Sequence, residues 1–451
     1  MTYSTLIFAS VILPISVLVL FFDHSAEYKN LILCIMSVIF ISWGHSVLSA
    51  LVLLSMLADY FLALGVGKLR ESSKGAAAAL VAADLAWNAA IFFLFARNGT
   101  IADGSRFKIA ESLVPVGAAF YTLRNFTYVF DVFKGRCRAE KNPAVLFTYT
   151  SAYPFLLAGP VTRYADIEPQ LRERHMDVHL LSEGLTRFAF GFAKTILAVP
   201  VLTKLYETGL SHDEPTLAGA WIGMICFFGS AYFTFMGLSD MGTGIARMNG
   251  FSVDVNYTPI CTKHGISSLV RSANTSMIDL CADIRGEGAA SKALLTVPLA
   301  LMATAFYYSE PRYLLVGLAA GVIMTVEALF GFGRLEKIPA FIRVIVTAAL
   351  AMLVFSGLAF GSFGEWKSWL GQLAGRGDLY ILSKPMKKLL VNNCWLLAVS
   401  FISVTPIVPF LAKRAEASSG GTYTRARALR TAWAALLLIL SFVMLAGDMI
   451  A

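Results

Sequence analysis

A chain of 451 residues that is 57% hydrophobic and 15% charged, with a mean hydropathy of +0.67, is too apolar for an ordinary soluble protein, in which about a quarter of residues are charged. Its net charge of +8 is assigned to the basic loops of a membrane protein, which sets nucleic acid aside as a partner. The cysteines Cys34, Cys137, Cys226, Cys261, Cys281 and Cys394 form no CxxC pair and no metal-like spacing, which argues against a disulfide framework or a zinc site.

About 20 apolar residues cross the hydrocarbon core. In chain order, that ruler predicts spans near 3–22, 28–44, 46–66, 76–97, 113–133, 144–160, 181–205 and 216–246, then 292–308, 311–333, 341–360, 389–411 and 429–447. The first has no basic n-region and no cleavage site, so it reads as a retained span rather than a signal peptide. Several are short or broken by Gly, Pro and charge, and these are expected to be tilted or re-entrant, which lipid tolerates only where protein or water covers the backbone. The expected fold is an all-α polytopic membrane protein, a bundle of about 11–13 transmembrane and re-entrant helices, with residues 1–451 forming a single integral membrane domain. Basic loops at Lys68–Lys74, Lys134–Lys141 and Lys413–Arg430 mark the cytoplasmic side. The first two place the amino terminus outside, whereas Lys384, Lys387 and Lys388 leave the carboxy-terminal topology open. Residues 162–187 are rich in charge, and they read as an amphipathic segment lying at the cytoplasmic interface. His175 and His179, four apart within it, are read as an exposed basic face.

The stretch from Val114 to Arg163 carries Arg124 and Asp131 inside membrane-length apolar sequence. Ionisable groups there are costly and mark functional sites by default. Arg124 and Asp131 are seven residues apart and are expected to pair within the protein; Asp240, which shares a helical face with Arg247, is expected to be a buried structural ion pair or hydrogen-bond anchor. Asp59 is expected to act as a helix-packing partner.

Val114-Pro115-Val116-Gly117, Phe120-Tyr121, Tyr128, Asp131-Val132, Lys134-Gly135 and Ala158-Gly159-Pro160-Val161 lead to a second stretch, Phe235-Met236-Gly237-Leu238-Ser239-Asp240-Met241. In this order on a multi-span chain they resemble the signature of the membrane-bound O-acyltransferase (MBOAT) family. The nearest branch includes bacterial proteins of alginate O-acetylation and teichoic acid D-alanyl transfer. The resemblance is clear over roughly residues 50–260, with 114–260 the best-matching core. It implies a helical fold with a funnel reaching the bilayer interior, and an acyl donor such as acetyl-CoA or an acyl-carrier protein rather than a bound cofactor. It also implies passage of the acyl group toward an extracytoplasmic acceptor, in a bacterial cytoplasmic (inner) membrane.

Acyl transfer to an alcohol needs a base near the hydroxyl and donors for the developing oxyanion. The resemblance implies a histidine in that role in the second half of the chain. Here the histidines are His24, His45, His175, His179, His212 and His264, and none lies between Gly265 and Ala451. Tyr307 stands where that histidine is expected, followed by Tyr308. An upstream segment of the family pattern retains Arg271 and places Asn274 nearby. Tyrosine titrates near 10, so Tyr307 suits donation of a hydrogen bond to a carbonyl better than proton abstraction; packing at a span end is its other reading. The resemblance makes Asp240, Ser239, Arg163, Arg124 and Tyr308 candidates for the donor tunnel, and Arg163 suits an anionic phosphate because Arg binds phosphate bidentately.

Three readings follow. In the first, the chain serves O-acylation of a cell-surface polysaccharide as an accessory protein or pseudoenzyme with its histidine machinery lost, beside a histidine-bearing paralogue and other acylation or export proteins. In the second, it is an active O-acyltransferase using Tyr307, Asn274 and Arg271. In the third, the funnel transports a lipid or an acyl carrier.

Overall fold

A computed structural model describes residues 2–22, 25–43, 46–96, 118–157, 162–211, 215–255, 257, 265–273, 311–330, 339–375, 381–404, 410, 414 and 421–450. Among these residues the secondary structure is helical, without strands, and the chain is an all-α polytopic membrane protein. Among the described residues four helices are long and apolar enough to cross a membrane, at Val52–Ser72, Val178–Gly209, Leu217–Met248 and Arg425–Gly447. A fifth arises if the pair Lys384–Asn392 and Cys394–Val404, bent by 70°, is one broken span.

The chain divides into two compact units, residues 1–188 with 238–256, and residues 189–237 with 257–451. In the first unit, a π-turn at Phe8–Ile12 leads into α1 (Leu13–Phe21), followed by α2 (Ala26–Ser42), α3 (Ser46–Ser72), α4 (Lys74–Ala96) and α5 (Ala118–Lys134). Helices α3, α4 and α5 pack pairwise against one another. Short polar residues start helices by accepting backbone N–H groups that have no intrahelical partner. Ser25 Oγ takes Tyr28 N at 3.3 Å for α2, and Asn142 Oδ1 takes Ala144 N at 3.0 Å for α6 (Pro143–Ser151).

The described part of the apolar run 144–160 is not one continuous helix. Helix α6 holds nine residues and ends at Ser151, and Tyr153-Pro154-Phe155 forms a 3₁₀ turn. Pro154 disfavours helical backbone at the residue before it. The 162–187 stretch contains α7 (Tyr164–Arg172) and the first part of α8 (Val178–Ala193), separated by residues 173–177. Helix α8 starts at Asp177, whose Oδ1 accepts Leu180 N at 2.5 Å.

Helix α10 (Leu217–Met248) meets its neighbours through glycine, which lets helices approach backbone to backbone. In the first unit, a Cβ added at Gly244 would lie 2.7 Å from both Gly184 O and Phe188 N, and one added at Gly184 would lie 2.7 Å from Gly244 O. In the second unit, Gly237 sits against Gly191 O and Thr195, and Gly223 against Gly209. A π-turn at Lys194–Ala198 joins α8 to α9 (Val199–Gly209), just before Pro200, whose missing N–H disturbs a regular ladder.

The second unit continues with α11 (Ile266–Ala273), α12 (Pro311–Phe330), α13 (Ala340–Phe355), α14 (Phe363–Leu373), α15 (Lys384–Asn392), α16 (Cys394–Val404) and α17 (Gly421–Ile450). Ile266, Val270, Ala320, Met324 and Ala351 form one apolar cluster, and Leu202, Leu205, Cys226, Phe233 and Met386 another.

Candidate functional site

In the first unit, the costly groups noted in the sequence are buried, and each has found a distinct environment. Arg124 on α5 is fully buried. Its guanidinium carbon lies 4.3 Å from the ring centroid of Tyr149 and 4.9 Å from that of Phe155. None of its three nitrogens has a hydrogen-bond partner among the described residues. A desolvated cation over aromatic faces gains about 2 kcal/mol, while unpaired buried donors cost about 1–3 kcal/mol each. Arg124 is therefore a net cost to the fold and holds N–H groups ready for an oxyanion, a carbonyl or a phosphate oxygen.

The aromatic seam continues. Phe155 packs edge-on against Phe251 with centroids 5.7 Å apart, and the Arg174 guanidinium carbon lies 4.3 Å from the Phe251 centroid. Arg174, between α7 and α8, is buried, and its three nitrogens also have no hydrogen-bond partner among the described residues. Burial pulls its guanidinium down to about 10, with the nearby Tyr153 hydroxyl opposing the shift, so it stays charged at neutral pH. Tyr153 O–H contacts Ser16 Oγ at 2.8 Å and accepts from Asn249 Nδ2 at 3.0 Å.

Asp131 does not pair with Arg124. It is fully buried and accepts from Arg163 Nη1 at 2.6 Å and Arg136 Nη1 at 3.1 Å. Residues seven apart on a helix face the same way but lie about 10 Å apart along the axis, so a direct pair is out of reach for an aspartate and an arginine pointing elsewhere. Arg163 is the residue before α7, and its charge is already engaged by Asp131. An Asp131→Ala change is expected to destabilise this unit by about 3–5 kcal/mol by leaving charges uncompensated, read as a lower unfolding temperature in lipid.

Asp240 is the buried, ion-paired residue expected, with its partner on α8 rather than at Arg247. On α10, Asp240 Oδ1 lies 3.7 Å from Arg187 Nε, and Arg247 Nη1 lies 3.3 Å from Glu183 Oε2, both partners belonging to α8. Ser239 and Thr243 beside them are fully buried, and their hydroxyls have no hydrogen-bond partner among the described residues. Asp59 packs helices as expected: it accepts from Asn88 of α4 and Asn125 of α5.

Below the seam, the basic loop is folded around Glu140. Its Oε2 accepts from Tyr164 O–H at 2.6 Å and Arg172 Nη2 at 2.9 Å, and its Oε1 from Asn142 N at 2.8 Å. Partial burial works against ionisation, but Tyr164, the Asn142 N–H and Arg172 hold the carboxyl below its ordinary value. A depressed carboxyl contributes stability that is present above its unfolded value and lost as pH falls through its folded one. Acidification below the ordinary carboxylate range is therefore expected to release α7, seen as faster amide exchange across Tyr164–Arg172. His175 and His179 lie 3.5 and 3.7 Å from Glu173 and Glu183.

In the second unit, α11 carries Arg271, while Asn274, Tyr307 and Tyr308 lie outside the described residues. One residue that the sequence reading missed anchors this helix. Glu327, a lone acid within the apolar run of α12, accepts Ile266 N at 2.7 Å, Ser267 N at 2.9 Å and Ser267 Oγ at 2.6 Å. A carboxylate at a helix start satisfies free N–H groups and meets the positive end of the dipole. Gly265, at φ +91, gives its N–H to Thr347 Oγ1 at 2.8 Å, and a Cβ there would stand 3.1 Å from Glu327 Oε1. Glu327→Ala is expected to detach the start of α11 at a cost of about 2–4 kcal/mol, read as protease cleavage near residues 260–270. A cavity lined by Leu315, Val316, Leu353, Phe360 and Trp366 lies elsewhere in this unit; these side chains are apolar and supply no acid or base.

No family model matches the chain. A probable alginate O-acetylase of Pseudomonas syringae pv. tomato is 27% identical over 399 residues, covering 81% of this chain and 76% of that protein. Its counterpart in Pseudomonas putida is 30% identical over 288 residues, 61% of this chain and 59% of that protein. A peptidoglycan O-acetyltransferase of Helicobacter pylori is 22% identical over 191 residues, 36% of each chain. The match thus spans three-quarters of one curated relative and just over half of another. The chain resembles the membrane-bound O-acyltransferase branch over most of its length.

Proposed function

From this kinship with polysaccharide O-acetylases, we propose that the chain serves acyl transfer to a cell-surface polysaccharide at the bacterial inner membrane, as an accessory or scaffold protein whose own histidine machinery is lost. One observation carries the reading: similarity to an O-acetylase over 81% of the chain coexists with the absence of any histidine after His264. A base working near neutral pH is ordinarily histidine. The chain keeps costly buried groups, Arg124 and Arg174 above all, that folding alone does not favour. On this reading they meet an acyl donor, acetyl-CoA or an acyl-carrier protein, while a histidine-bearing paralogue performs the transfer.

The anchoring of α11 by Glu327 and Thr347 favours a second reading. A helix held this firmly suits a site that still acts, with Arg271, Asn274 and Tyr307 in place of the histidine. The two readings part in cells. If the chain is an accessory protein, deleting it lowers the O-acetyl content of the surface polysaccharide, and a Tyr307→Phe copy restores it fully. Restoration by the wild type but not by Tyr307→Phe supports the second reading. An unchanged acetyl content after deletion removes both.

A further inference from the structure

Between α3, α4 and α5 lies a group of buried oxygens that the functional reading does not use. Asp59 on α3 and Asp84 on α4 are 1% and 0% exposed. Asp59 takes one amide hydrogen bond from Asn88 Nδ2, at 3.1 Å to Oδ1, and one from Asn125 Nδ2, at 2.5 Å to Oδ2. Asp84 lies near enough to Asp59 for the two carboxyls to interact, and the Tyr121 hydroxyl of α5 is likewise near Asp59. Both carboxyl oxygens of Asp84, the Oδ1 atoms of Asn88 and Asn125, and the Tyr121 hydroxyl have no hydrogen-bond partner among the described residues. Neither carboxyl forms an ion pair with a described Lys, Arg or His. The remaining polar pair nearby, Trp87 Nε1 and Ser55 Oγ at 3.1 Å, satisfies itself.

Two carboxylates side by side in a low dielectric cannot both ionise without a counter-charge. The amide nitrogens are used on Asp59 and, for Asn88, also on the Asp84 backbone oxygen at 3.1 Å, and no donor among the described residues neutralises the Asp84 carboxyl. Among the described residues what remains unsatisfied here is oxygen alone, without nitrogen or sulfur, and such a set suits a hard cation rather than a soft one. The buried amide oxygens, on the side chains whose nitrogens hold Asp59, are left without a described donor and suit the same ligand class. We propose that Asp59, Asp84, Asn88, Asn125 and Tyr121 form a buried site for one hard cation, a proton or a metal ion such as sodium, held between the two carboxyls. The site ties α3, α4 and α5 together, so its occupancy sets the stability of the three-helix core. It stands independently of the acyl-transfer reading.

The test uses the full chain in lipid nanodiscs with choline as the background cation. Thermal unfolding is followed for wild type, Asp84→Asn and Asp59→Asn across separate additions of Na⁺, K⁺, Mg²⁺ and Ca²⁺ at constant ionic strength, and across pH 5 to 8 without them. The expected result is a saturable rise in the unfolding temperature of wild type with one of these ions, absent from Asp84→Asn. A wild type that loses stability as pH rises, indifferent to metal ions, with that response abolished in Asp84→Asn, identifies the occupant as a proton. Identical responses of wild type and Asp84→Asn to every ion and to pH overturn the proposal. Should the variants fail to fold, wild type decides alone: neither uptake of ²²Na⁺ or ⁴⁵Ca²⁺ nor any stability response to ions or pH also overturns it.

Discussion

Replacing Arg124 with Met is expected to raise the unfolding temperature of the protein in lipid while abolishing its contribution to surface acylation. Methionine nearly matches the length of the arginine stem and fills the slot between Tyr149 and Phe155. The exchange removes a fully buried cation whose three nitrogens have no hydrogen-bond partner among the described residues. Replacing buried charge by a well-packed apolar side chain is often stabilising by about 1–4 kcal/mol, less the cation–π attraction of about 2 kcal/mol that is lost. That difference runs from a loss of about 1 kcal/mol to a gain of about 2 kcal/mol, and removing three unpaired buried donors, at about 1–3 kcal/mol each, turns it into a net gain. If Arg124 meets an anionic or carbonyl oxygen of the donor, the gain comes with loss of function, since activity sites often retain groups that cost stability. Arg124→Lys keeps the charge but loses the planar stacking surface, so it is expected to be less stable than wild type. A drop in stability on Arg124→Met would show instead that the arginine holds the fold together.

Gly244→Leu is expected to prevent folding of the first unit. Even its Cβ would stand 2.7 Å from Gly184 O and Phe188 N, and both are backbone atoms that no rotamer change can move aside. Overpacking alone costs about 1–3 kcal/mol. Here the crossing of α8 and α10 must open, which also strains the Asp240–Arg187 and Arg247–Glu183 pairs. The total is expected to exceed about 4 kcal/mol, in the range where single substitutions are exceptional. The contrast is Gly447→Leu near the end of α17, where an added Cβ meets nothing within 4 Å; it is expected to leave folding unchanged. Detergent-solubilised yield and size-exclusion profile separate the two outcomes.

The helices were readable because hydrophobic length is a strong signal. The cores of α2, α3, α4 and α10 fall where the apolar runs place them. In the run 144–160, which carries Pro154, α6 ends at Ser151 and a short 3₁₀ turn follows. Pairing was less readable. Two-turn spacing aligned Arg124 with Asp131 and Asp240 with Arg247, but a helix presents such residues to different neighbours. Asp131 instead reaches Arg163, 32 residues away and just before α7. Asp84 and Glu327 were passed over, although each is a lone acid in an apolar run, the same signal that drew attention to Asp131. What surrounds them, Asp59 of α3 for Asp84 and the α11 backbone for Glu327, comes from other helices and leaves no local trace in sequence. For Tyr307, Tyr308 and Asn274 the only support remains their place in the family pattern.

The most direct measurement is acetyl transfer from radiolabelled acetyl-CoA to polysaccharide by the purified chain in lipid, with and without a histidine-bearing relative from the same cell. The account predicts no turnover by the chain alone, retained donor binding that is lost in Arg124→Met, and faster transfer by the relative when the chain is present. Turnover by the chain alone, abolished by Tyr307→Phe, would contradict it and make this a working enzyme without the histidine.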